Sequence, residues 1–456
     1  MKLDIRFLCK AVQGSIINGD PNISFSGVST DSRSVLPGQV FFALEGKKHD
    51  GHQYVNQAFS RGAAAAVVSK VGNEYKEQPL ILVSDTIHAL QQLAKDYRSL
   101  FNIPLTAVTG SVGKTTTKEI LAQCLESTYV TLKTQGSFNN EIGLPLTLLN
   151  LKEYHQIGVV ELGMRGLGEI RTLAEVAQPT VAIITNVEPV HLETMGSLEK
   201  IAQAKCEVLS VLSGGSFAVI NGDNTLLLAE ADKYDCVKYT FGYNESCDFH
   251  IEKVTVRQEM MEIRADFRGQ EELLNFPLPA ASLALDVVAA ASVCYLLGLN
   301  MAKVKQALLD YKPSGNRLNI STSKTGRVLI NDTYNANPLS MSAALEVGLK
   351  LRKQGQFIAV LGDMFELGSY EKEGHILVGK KAAEIGVDLL ITIGERARQI
   401  GEGAKSAGMA ADKVKCFPDK TAALDCIKQS AKPGDTILFK ASRGMELEKV
   451  IDELDF

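Results

Sequence analysis

The chain has 456 residues, of which 45% are hydrophobic, and its formal net charge at pH 7 is −5. That length is enough for about three domains of ~150 residues, each with a core of its own. No cluster of Lys and Arg dominates any stretch, which argues against nucleic acid or an anionic membrane surface as a partner. The longest apolar run, residues 287–299, is too short for membrane insertion, and the N-terminus lacks the apolar region of a signal peptide. We therefore expect a cytoplasmic protein.

The first part of the chain, residues 1–101, predicts a small α/β domain. Short apolar runs at residues 23–28, 40–44, 64–68 and 80–83 have the length and composition of strands, and residues 53–61 have a helical pattern. A helix that begins near Thr86 must end before Pro104, because a residue that precedes proline disfavours the helical conformation. We therefore place a domain boundary near residue 101.

An apolar run at residues 105–108 is followed at once by the sequence TGSVGKTT, residues 109–116, and then by a helical pattern. This arrangement is typical of a phosphate-binding loop, in which small residues let backbone N–H groups curl around an anion at a helix N-terminus. Lys114 supplies a cation for the outer phosphates, and the Thr115 hydroxyl can bind Mg²⁺. The strict pattern requires glycine where this chain has Val108, so only a shorter core of the motif is present. We expect a nucleoside triphosphate to contact Gly110, Ser111, Val112, Gly113, Lys114, Thr115 and Thr116.

The rest of the chain predicts two further α/β domains. After the loop, apolar strands alternate with helical segments, which is typical of a parallel sheet covered by helices. Residues 237–276 differ, since apolar and polar residues alternate there and predict antiparallel strands added to that sheet. A third unit after Pro313 again alternates strands with helices and predicts a Rossmann-like domain. The expected architecture is therefore α/β with three domains, at residues 1–101, 102–313 and 314–456.

Polar residues near two predicted strand ends of the middle domain suggest a metal site. Glu161 ends one strand, and His191 lies in the loop after the next. Ligands bind outside the carboxyl ends of strands in open α/β sheets, so both should converge on the phosphate loop, where Thr115 adds a hydroxyl. Alternatives stay open, because Glu161 could cap a turn and His191 could be a surface residue. Lys205, on a later helix, has the pattern of a solvated lysine.

Five segments of the middle domain together resemble the Mur ligase family. Members of this family join an amino acid or a peptide to a UDP-muramoyl precursor and use ATP to do so. The resemblance extends over nearly the whole chain, with the motifs in the right order. The five segments are residues 109–116, 136–145, 161–163, 186–191 and 204–207.

Segments outside the middle domain refine this resemblance. Residues 328–338 and 361–368 are similar to family members that add D-alanyl-D-alanine to UDP-MurNAc-tripeptide, and residues 29–35 and 50–52 resemble a UDP-binding N-terminal domain. The resemblance therefore implies ATP and these two substrates as ligands, with the central domain as the ATPase, and we expect a monomer. By the same resemblance, the UDP substrate is expected to contact Ser29, Asp31, Ser32 and Arg33.

The resemblance also implies a mechanism through an acyl phosphate. The substrate carboxylate attacks the γ-phosphate of ATP, and the incoming amine then displaces phosphate. Lys114 would neutralise the phosphates, Thr115 and Glu161 would hold one Mg²⁺, and His191 would help to hold a second. The lysine that corresponds to Lys205 is carbamylated in the family, which would let this residue support the second Mg²⁺. The expected catalytic residues are thus Lys114, Glu161, His191 and Lys205.

Further polar residues are candidates for ligand contacts. Two asparagines of the middle domain could bind a polar peptide or sugar, although either could instead form an Asx turn. Two asparagines of the third domain, by resemblance, approach ATP from the opposite side. Arginine suits phosphate and carboxylate anions, and a surface ion pair is an equally good interpretation of each arginine. The candidates are Asn139, Asn140, Ser442 and Arg443 for the substrates, and Asn335, Asn337 and Arg317 for the nucleotide.

Residues 280–286 depart from the family pattern at the adenine end of the nucleotide site. This chain has Ser282, Leu283 and Asp286 where the family usually has His and Asn, and a leucine side chain cannot hydrogen-bond a base. The sequence therefore leaves the mode of adenine binding open. It also leaves open whether the third residue of the acceptor peptide is lysine or diaminopimelate.

Two other functions compete with the leading interpretation. One is a different ligase of the superfamily, but a D-N-P-R-like segment expected of the diamino-acid-adding ligase does not occur here, and folylpolyglutamate synthase would not need the UDP-type domain. The other is a nucleotide-binding regulator without ligase activity. The presence of Glu161, His191 and Lys205 together argues against it.

Overall fold

A computed structural model describes residues 3–46, 49–75, 77–190, 192–257, 259–313 and 315–454. Within these ranges, no helix is both long and apolar enough to cross a membrane. Three sheets of five or more strands organise the chain, and helices cover each of them. The predicted α/β architecture with three domains is confirmed.

The N-terminal sheet has five strands in the order β2-β7-β6-β5-β4, and all neighbours in it are parallel except β2 and β7. Asp85 begins the last helix of this unit, because its carboxylate accepts hydrogen bonds from the backbone N–H groups of Ile87 and His88. Strands β1 and β3 form a separate antiparallel pair. The strands of this unit are β1 (Leu3–Asp4), β2 (Ser15–Asn18), β3 (Ser24–Phe25), β4 (Gly27–Ser29), β5 (Gln39–Phe42), β6 (Ala65–Val68) and β7 (Leu80–Leu82). The helices are α1 (Ile5–Val12), α2 (Val55–Ser60) and α3 (Thr86–Arg98).

Helix α3 ends at a buried arginine that joins the first unit to the second. The Arg98 guanidinium donates hydrogen bonds to the carbonyls of Phe101 at 2.6 Å, Ile103 at 2.9 Å and Ala177 at 3.2 Å. Two of these carbonyls belong to the connecting segment, and the third lies at the end of a helix of the second unit. One side chain therefore fixes the connection between the two units.

The central sheet has nine strands in the order β16-β15-β14-β13-β12-β11-β8-β10-β9. The neighbours from β9 through to β14 in this order pair in parallel, and β14, β15 and β16 pair antiparallel. The prediction of antiparallel strands over residues 237–276 is therefore confirmed for β14 to β16 and wrong for β13, which pairs in parallel with both of its neighbours. The strands are β8 (Leu105–Thr109), β9 (Thr131–Lys133), β10 (Ile157–Glu161), β11 (Val181–Ile184), β12 (Phe217–Asn221), β13 (Val237–Gly242), β14 (Phe249–Val256), β15 (Met261–Phe267) and β16 (Glu271–Phe276).

Helices cover both faces of the central sheet, so its middle strands are buried along their whole length. The helices are α4 (Lys114–Glu126), α5 (Gly143–Leu148), α6 (Glu169–Ala177), α7 (Leu192–Met195), α8 (Leu198–Cys206), α9 (Thr225–Ala231), α10 (Ala284–Leu296) and α11 (Met301–Leu309). One core lies between the sheet and helices α4, α10 and α11, and a second lies under α6, α8 and α9. Strands β10, β8 and β11 are parallel neighbours in this sheet, so their carboxyl ends lie side by side.

The C-terminal sheet has six strands in the order β17-β18-β22-β19-β20-β21, and only β17 and β18 pair antiparallel. Its first long helix begins at a capping box between Asn337 and Ser340, with Pro338 in the first turn. The strands are β17 (Asn319–Thr322), β18 (Val328–Asp332), β19 (Phe357–Gly362), β20 (Leu389–Ile393), β21 (Val414–Phe417) and β22 (Thr436–Lys440). The helices are α12 (Pro338–Leu351), α13 (Glu371–Glu384), α14 (Arg398–Ser406), α15 (Lys420–Ser430) and α16 (Glu448–Asp452).

Candidate active site

The phosphate loop connects β8 to α4 and is held by the segment that follows β11. The backbone N–H of Val112 donates to the Asn186 side-chain oxygen at 2.9 Å, and the N–H of Ser111 donates to the Asn186 carbonyl at 3.1 Å. Val108, where the strict motif has glycine, is a fully buried residue of strand β8. The loop is therefore the short form, and contacts within the protein hold it.

Lys114 lies over this loop. Its ammonium group donates to the carbonyls of Gly110 at 2.8 Å and Ser111 at 3.0 Å. Burial lowers the pKa of Lys114, while the nearby Glu161 carboxylate raises it. The cation is thus held at the helix N-terminus, where an anion would be bound.

Glu161 joins the loop to the neighbouring strand end. Its carboxylate is buried, with 2% exposure of the residue, and accepts hydrogen bonds from the Thr115 hydroxyl at 2.7 Å and from the Asn139 side-chain amide at 2.7 Å. The structure thus places the two predicted metal ligands of the first site in direct contact. A hydroxyl beside a carboxylate is a pair of hard oxygen donors, which suits Mg²⁺. This site therefore fits a magnesium ion.

Lys205 lies on α8 beneath the same cluster and is only 1% exposed. Burial lowers the pKa of Lys205 well below its ordinary value, and the Lys114 cation lowers it further, while Glu161 opposes both. Among the described residues, none forms a hydrogen bond or an ion pair with its side chain. The interpretation of Lys205 as a solvated lysine is wrong. His191, the other predicted ligand of the second metal, lies outside the described residues.

Glu207, which the sequence analysis did not single out, fixes the backbone near Lys205. Its carboxylate accepts hydrogen bonds from the backbone N–H groups of Gly168 at 2.6 Å and Arg171 at 3.1 Å, at the start of α6. The partners are 39 and 36 positions away in the chain. No local pattern marks a helix cap that comes from so far away, so the sequence could not have indicated it.

A cleft of about 1160 Å³ separates the phosphate loop from the C-terminal unit, and both line it. On the C-terminal side, the Arg317 guanidinium lies 4.0 Å from the centre of the Tyr334 ring. Lys440 donates to Asp332 at 2.6 Å and to the Asn335 carbonyl at 2.9 Å. The predicted nucleotide contacts Arg317, Asn335 and Asn337 thus lie on the wall opposite the loop.

Several predicted ligand-binding side chains are already bonded within the protein. Asn337 caps α12, and Asn140 accepts a hydrogen bond from the Gly143 N–H at 2.8 Å. Ser442 is buried and accepts from the Phe365 N–H at 2.9 Å, and Arg443 pairs with Glu448. All four of these residues line the cleft: Asn140, Asn337, Ser442 and Arg443.

The predicted UDP-binding residues lie in the N-terminal unit and do not line this cleft. Asp31 and Arg33 form an exposed pair through hydrogen bonds of 2.8 and 3.0 Å, and that contact lowers the pKa of Asp31 to about 2. The Ser29 hydroxyl donates to the Asp31 carbonyl at 3.1 Å, and the Ser32 hydroxyl donates to Gln57 at 2.6 Å. Ser29 ends β4, and the other three residues lie in the loop that follows it.

Three family models match the chain: the Mur ligase family catalytic domain over residues 24–98, the Mur ligase middle domain over residues 108–294, and the Mur ligase glutamate ligase domain over residues 316–443. The chain belongs to the Mur ligase family. Its similarity to two curated relatives extends over nearly their whole length. A Bacillus subtilis protein named UDP-N-acetylmuramoyl-tripeptide–D-alanyl-D-alanine ligase is 36% identical, with 100% of this chain and 98% of the relative covered. The Escherichia coli protein of the same name is 33% identical, with 96% of each covered.

Solved structures of this ligase family have the same fold. MurF from Acinetobacter baumannii superimposes with a TM-score of 0.90 at 29% identity and covers 100% of this chain and 99% of its own. The MurF ligase of Thermotoga maritima in complex with ADP gives a TM-score of 0.81 at 29% identity, with 93% and 96% covered. The recognition of a Mur ligase from the sequence is confirmed.

Replacement of Glu161 by glutamine tests the central cluster of this Mur ligase. The amide keeps the size and one acceptor but removes the anion that offsets the charge of Lys114 and that would provide a ligand for Mg²⁺. We expect the affinity for ADP with Mg²⁺, measured by isothermal titration calorimetry, to fall at least about tenfold, or about 1.4 kcal/mol. Glu175→Gln, an exposed change on α6, is the matched control. Equal affinities in the two variants would contradict the role given to Glu161.

Proposed function

We propose that this Mur ligase is an ATP-dependent enzyme that adds D-alanyl-D-alanine to UDP-MurNAc-tripeptide and releases ADP and phosphate. The observation that supports this most is the buried group of Lys114, Thr115 and Glu161 at the phosphate loop of a cleft with two walls. Relatives of that name match the chain from end to end. The product, UDP-MurNAc-pentapeptide, is a peptidoglycan precursor, and we place the reaction in the cytoplasm.

The proposed chemistry has two steps. The terminal carboxylate of the tripeptide attacks the γ-phosphorus of ATP, so that an acyl phosphate forms and ADP leaves. The amine of D-alanyl-D-alanine, after loss of a proton, attacks the acyl carbon, and phosphate leaves as the amide forms. Phosphoryl transfer is accelerated mainly by positioning and by stabilisation of negative charge, which the Lys114 cation and the loop N–H groups can supply.

The same cluster would hold Mg²⁺. Thr115 and Glu161 are the ligands for one ion, and we assign His191 and Lys205 to a second. Bound Mg²⁺ neutralises charge on the phosphate oxygens. Asn139 orients the Glu161 carboxylate through its 2.7 Å hydrogen bond, so its role is to position a metal ligand rather than to bind substrate.

The remaining contacts follow from the positions of the three units. We assign the UDP group to the loop of Ser29, Asp31, Ser32 and Arg33, which contains an arginine for the diphosphate. The nucleotide extends from the phosphate loop toward Arg317 and the wall that contains Asn335 and Asn337. The dipeptide is assigned to the segment after β22, with Ser442 and Arg443, and the ligase acts as a monomer.

We assign a carbamylated side chain to Lys205. A lysine must be neutral to add to carbon dioxide, and burial lowers the pKa of Lys205 in that direction. In this reaction its nitrogen bonds to the carbon of carbon dioxide and loses a proton, which gives a carbamate anion. The anion would offset the Lys114 cation beside it and serve as a ligand for Mg²⁺.

The carbamate can be observed directly by carbon-13 NMR. The protein is equilibrated with ¹³C-labelled bicarbonate, and we expect one slowly exchanging carbamate resonance that disappears in Lys205→Arg. Lys200→Arg, on the exposed side of the same helix, should retain the signal. A spectrum without a protein-bound carbamate in active enzyme would refute the assignment.

The ligase activity itself is tested by product analysis. We expect ADP release that requires both UDP-MurNAc-tripeptide and D-alanyl-D-alanine, together with a product whose mass equals the two substrates minus water. Lys114→Met should reduce kcat at least about a thousandfold, because a preorganised charge that stabilises the transition state is lost. ADP release that is independent of the dipeptide would contradict the proposed function, as would a product of another mass.

A further inference from the structure

Asp286 connects helix α10 to the phosphate loop. It lies in the first turn of α10, and its Oδ1 accepts a hydrogen bond from the Thr117 hydroxyl at 2.8 Å. Thr117 is fully buried in α4, and its backbone N–H donates to the Gly113 carbonyl at 2.8 Å. Asp286, Thr117 and Gly113 therefore form a continuous set of contacts that ends at the loop.

The same oxygen of Asp286 also contacts Gly113 directly. Gly113 precedes the first residue of α4 and has a φ of +85°, a conformation that favours glycine. A Cβ atom at this position would lie 2.3 Å from the Asp286 Oδ1, so the carboxylate occupies the space beside the glycine. The loop N–H groups that would bind phosphate precede and follow this residue, and a shift of Gly113 would move them.

The hydrogen bond between Asp286 and Thr117 differs from the apolar packing that surrounds it. Helices α4 and α10 otherwise meet through apolar side chains of one core, which contribute stability but little directional constraint. Burial raises the pKa of Asp286 to about 7, while the hydrogen bond from Thr117 and the Arg317 cation across the cleft lower it. The hydrogen bond between Thr117 and Asp286 is directional, unlike the apolar packing around it. This contact therefore constrains the loop relative to α10 in a way that the apolar core does not.

Several apolar residues share the cleft with Asp286. Leu283 is 9% exposed, and Leu278, Tyr311 and Pro313 line the cleft beside it. These side chains offer a base a surface to pack against, whereas the Asp286 oxygen nearest the loop is already bonded. Within the segment that departs from the family pattern, residues 280–286, Asp286 therefore contacts the phosphate loop through Thr117.

We propose that Asp286 is a positioning residue for nucleotide binding, which holds the phosphate loop in place through Thr117 and Gly113 and does not read the base. This rests on the proposed use of a nucleoside triphosphate. This role predicts that loss of the contact weakens the binding of every nucleotide by the same factor. A base-reading role predicts instead a loss that depends on the base.

The test measures binding of ADP and of GDP with Mg²⁺ to the full chain by calorimetry, without peptide substrates. In Asp286→Ala and Thr117→Val, we expect both nucleotides to bind about tenfold more weakly, with an unchanged ratio of the two affinities. The double variant should be no weaker than either single one, since both remove the same contact. Asp286→Asn and Thr117→Ser keep an acceptor and a hydroxyl, and they should stay within about threefold of the wild type.

Several results would overturn the proposal. A change in the ratio of ADP to GDP affinity in Asp286→Ala would make the residue a reader of the base. Additive losses in the double variant, or failure of the conservative variants to restore binding, would show that the contact is not what matters. Wild-type protein that binds neither nucleotide would refute the proposed function rather than this role of Asp286.

Discussion

The site is organised by one buried carboxylate, that of Glu161. A buried charge is stable only when it is paired and hydrogen-bonded, and Glu161 accepts from Thr115 and Asn139 while it offsets the charge of Lys114. These partners come from the phosphate loop and from the segment before α5. Folding of the central sheet thus assembles the cluster, because β8 and β10 are parallel neighbours whose carboxyl ends meet.

In the C-terminal unit, a second buried and paired charge, that of Lys440, holds the opposite wall of the site in place. Lys440 is buried, and its pairing with Asp332 and the Asn335 carbonyl holds the segment after β18 against the cleft. Arg317, stacked on Tyr334, adds positive charge opposite the phosphate loop. A ligand with several phosphate groups therefore meets cations on both walls, each fixed by contacts within its own unit. Because each unit fixes its own cations, the two units can bind one substrate between them.

The sequence predicts what depends on local chemistry, and it fails where distant segments meet. The phosphate loop follows from eight consecutive residues, and the meeting of Glu161 with Thr115 follows from the strand-end rule. The hydrogen bond of Thr117 to Asp286 spans 169 positions and has no local signature. The Ser442 hydroxyl, a predicted ligand contact, accepts a hydrogen bond from the Phe365 N–H, 77 positions away, and this partner has no local signature either.

The central claim is that the phosphate-loop cluster transfers phosphate to a carboxylate. The most direct measurement uses UDP-MurNAc-tripeptide with ¹⁸O in both oxygens of its terminal carboxylate and follows the released phosphate by mass spectrometry. Attack of that carboxylate on the γ-phosphorus, followed by loss of phosphate from the acyl carbon, predicts that each phosphate contains a single ¹⁸O atom. Phosphate without ¹⁸O, released as the amide forms, would contradict this account.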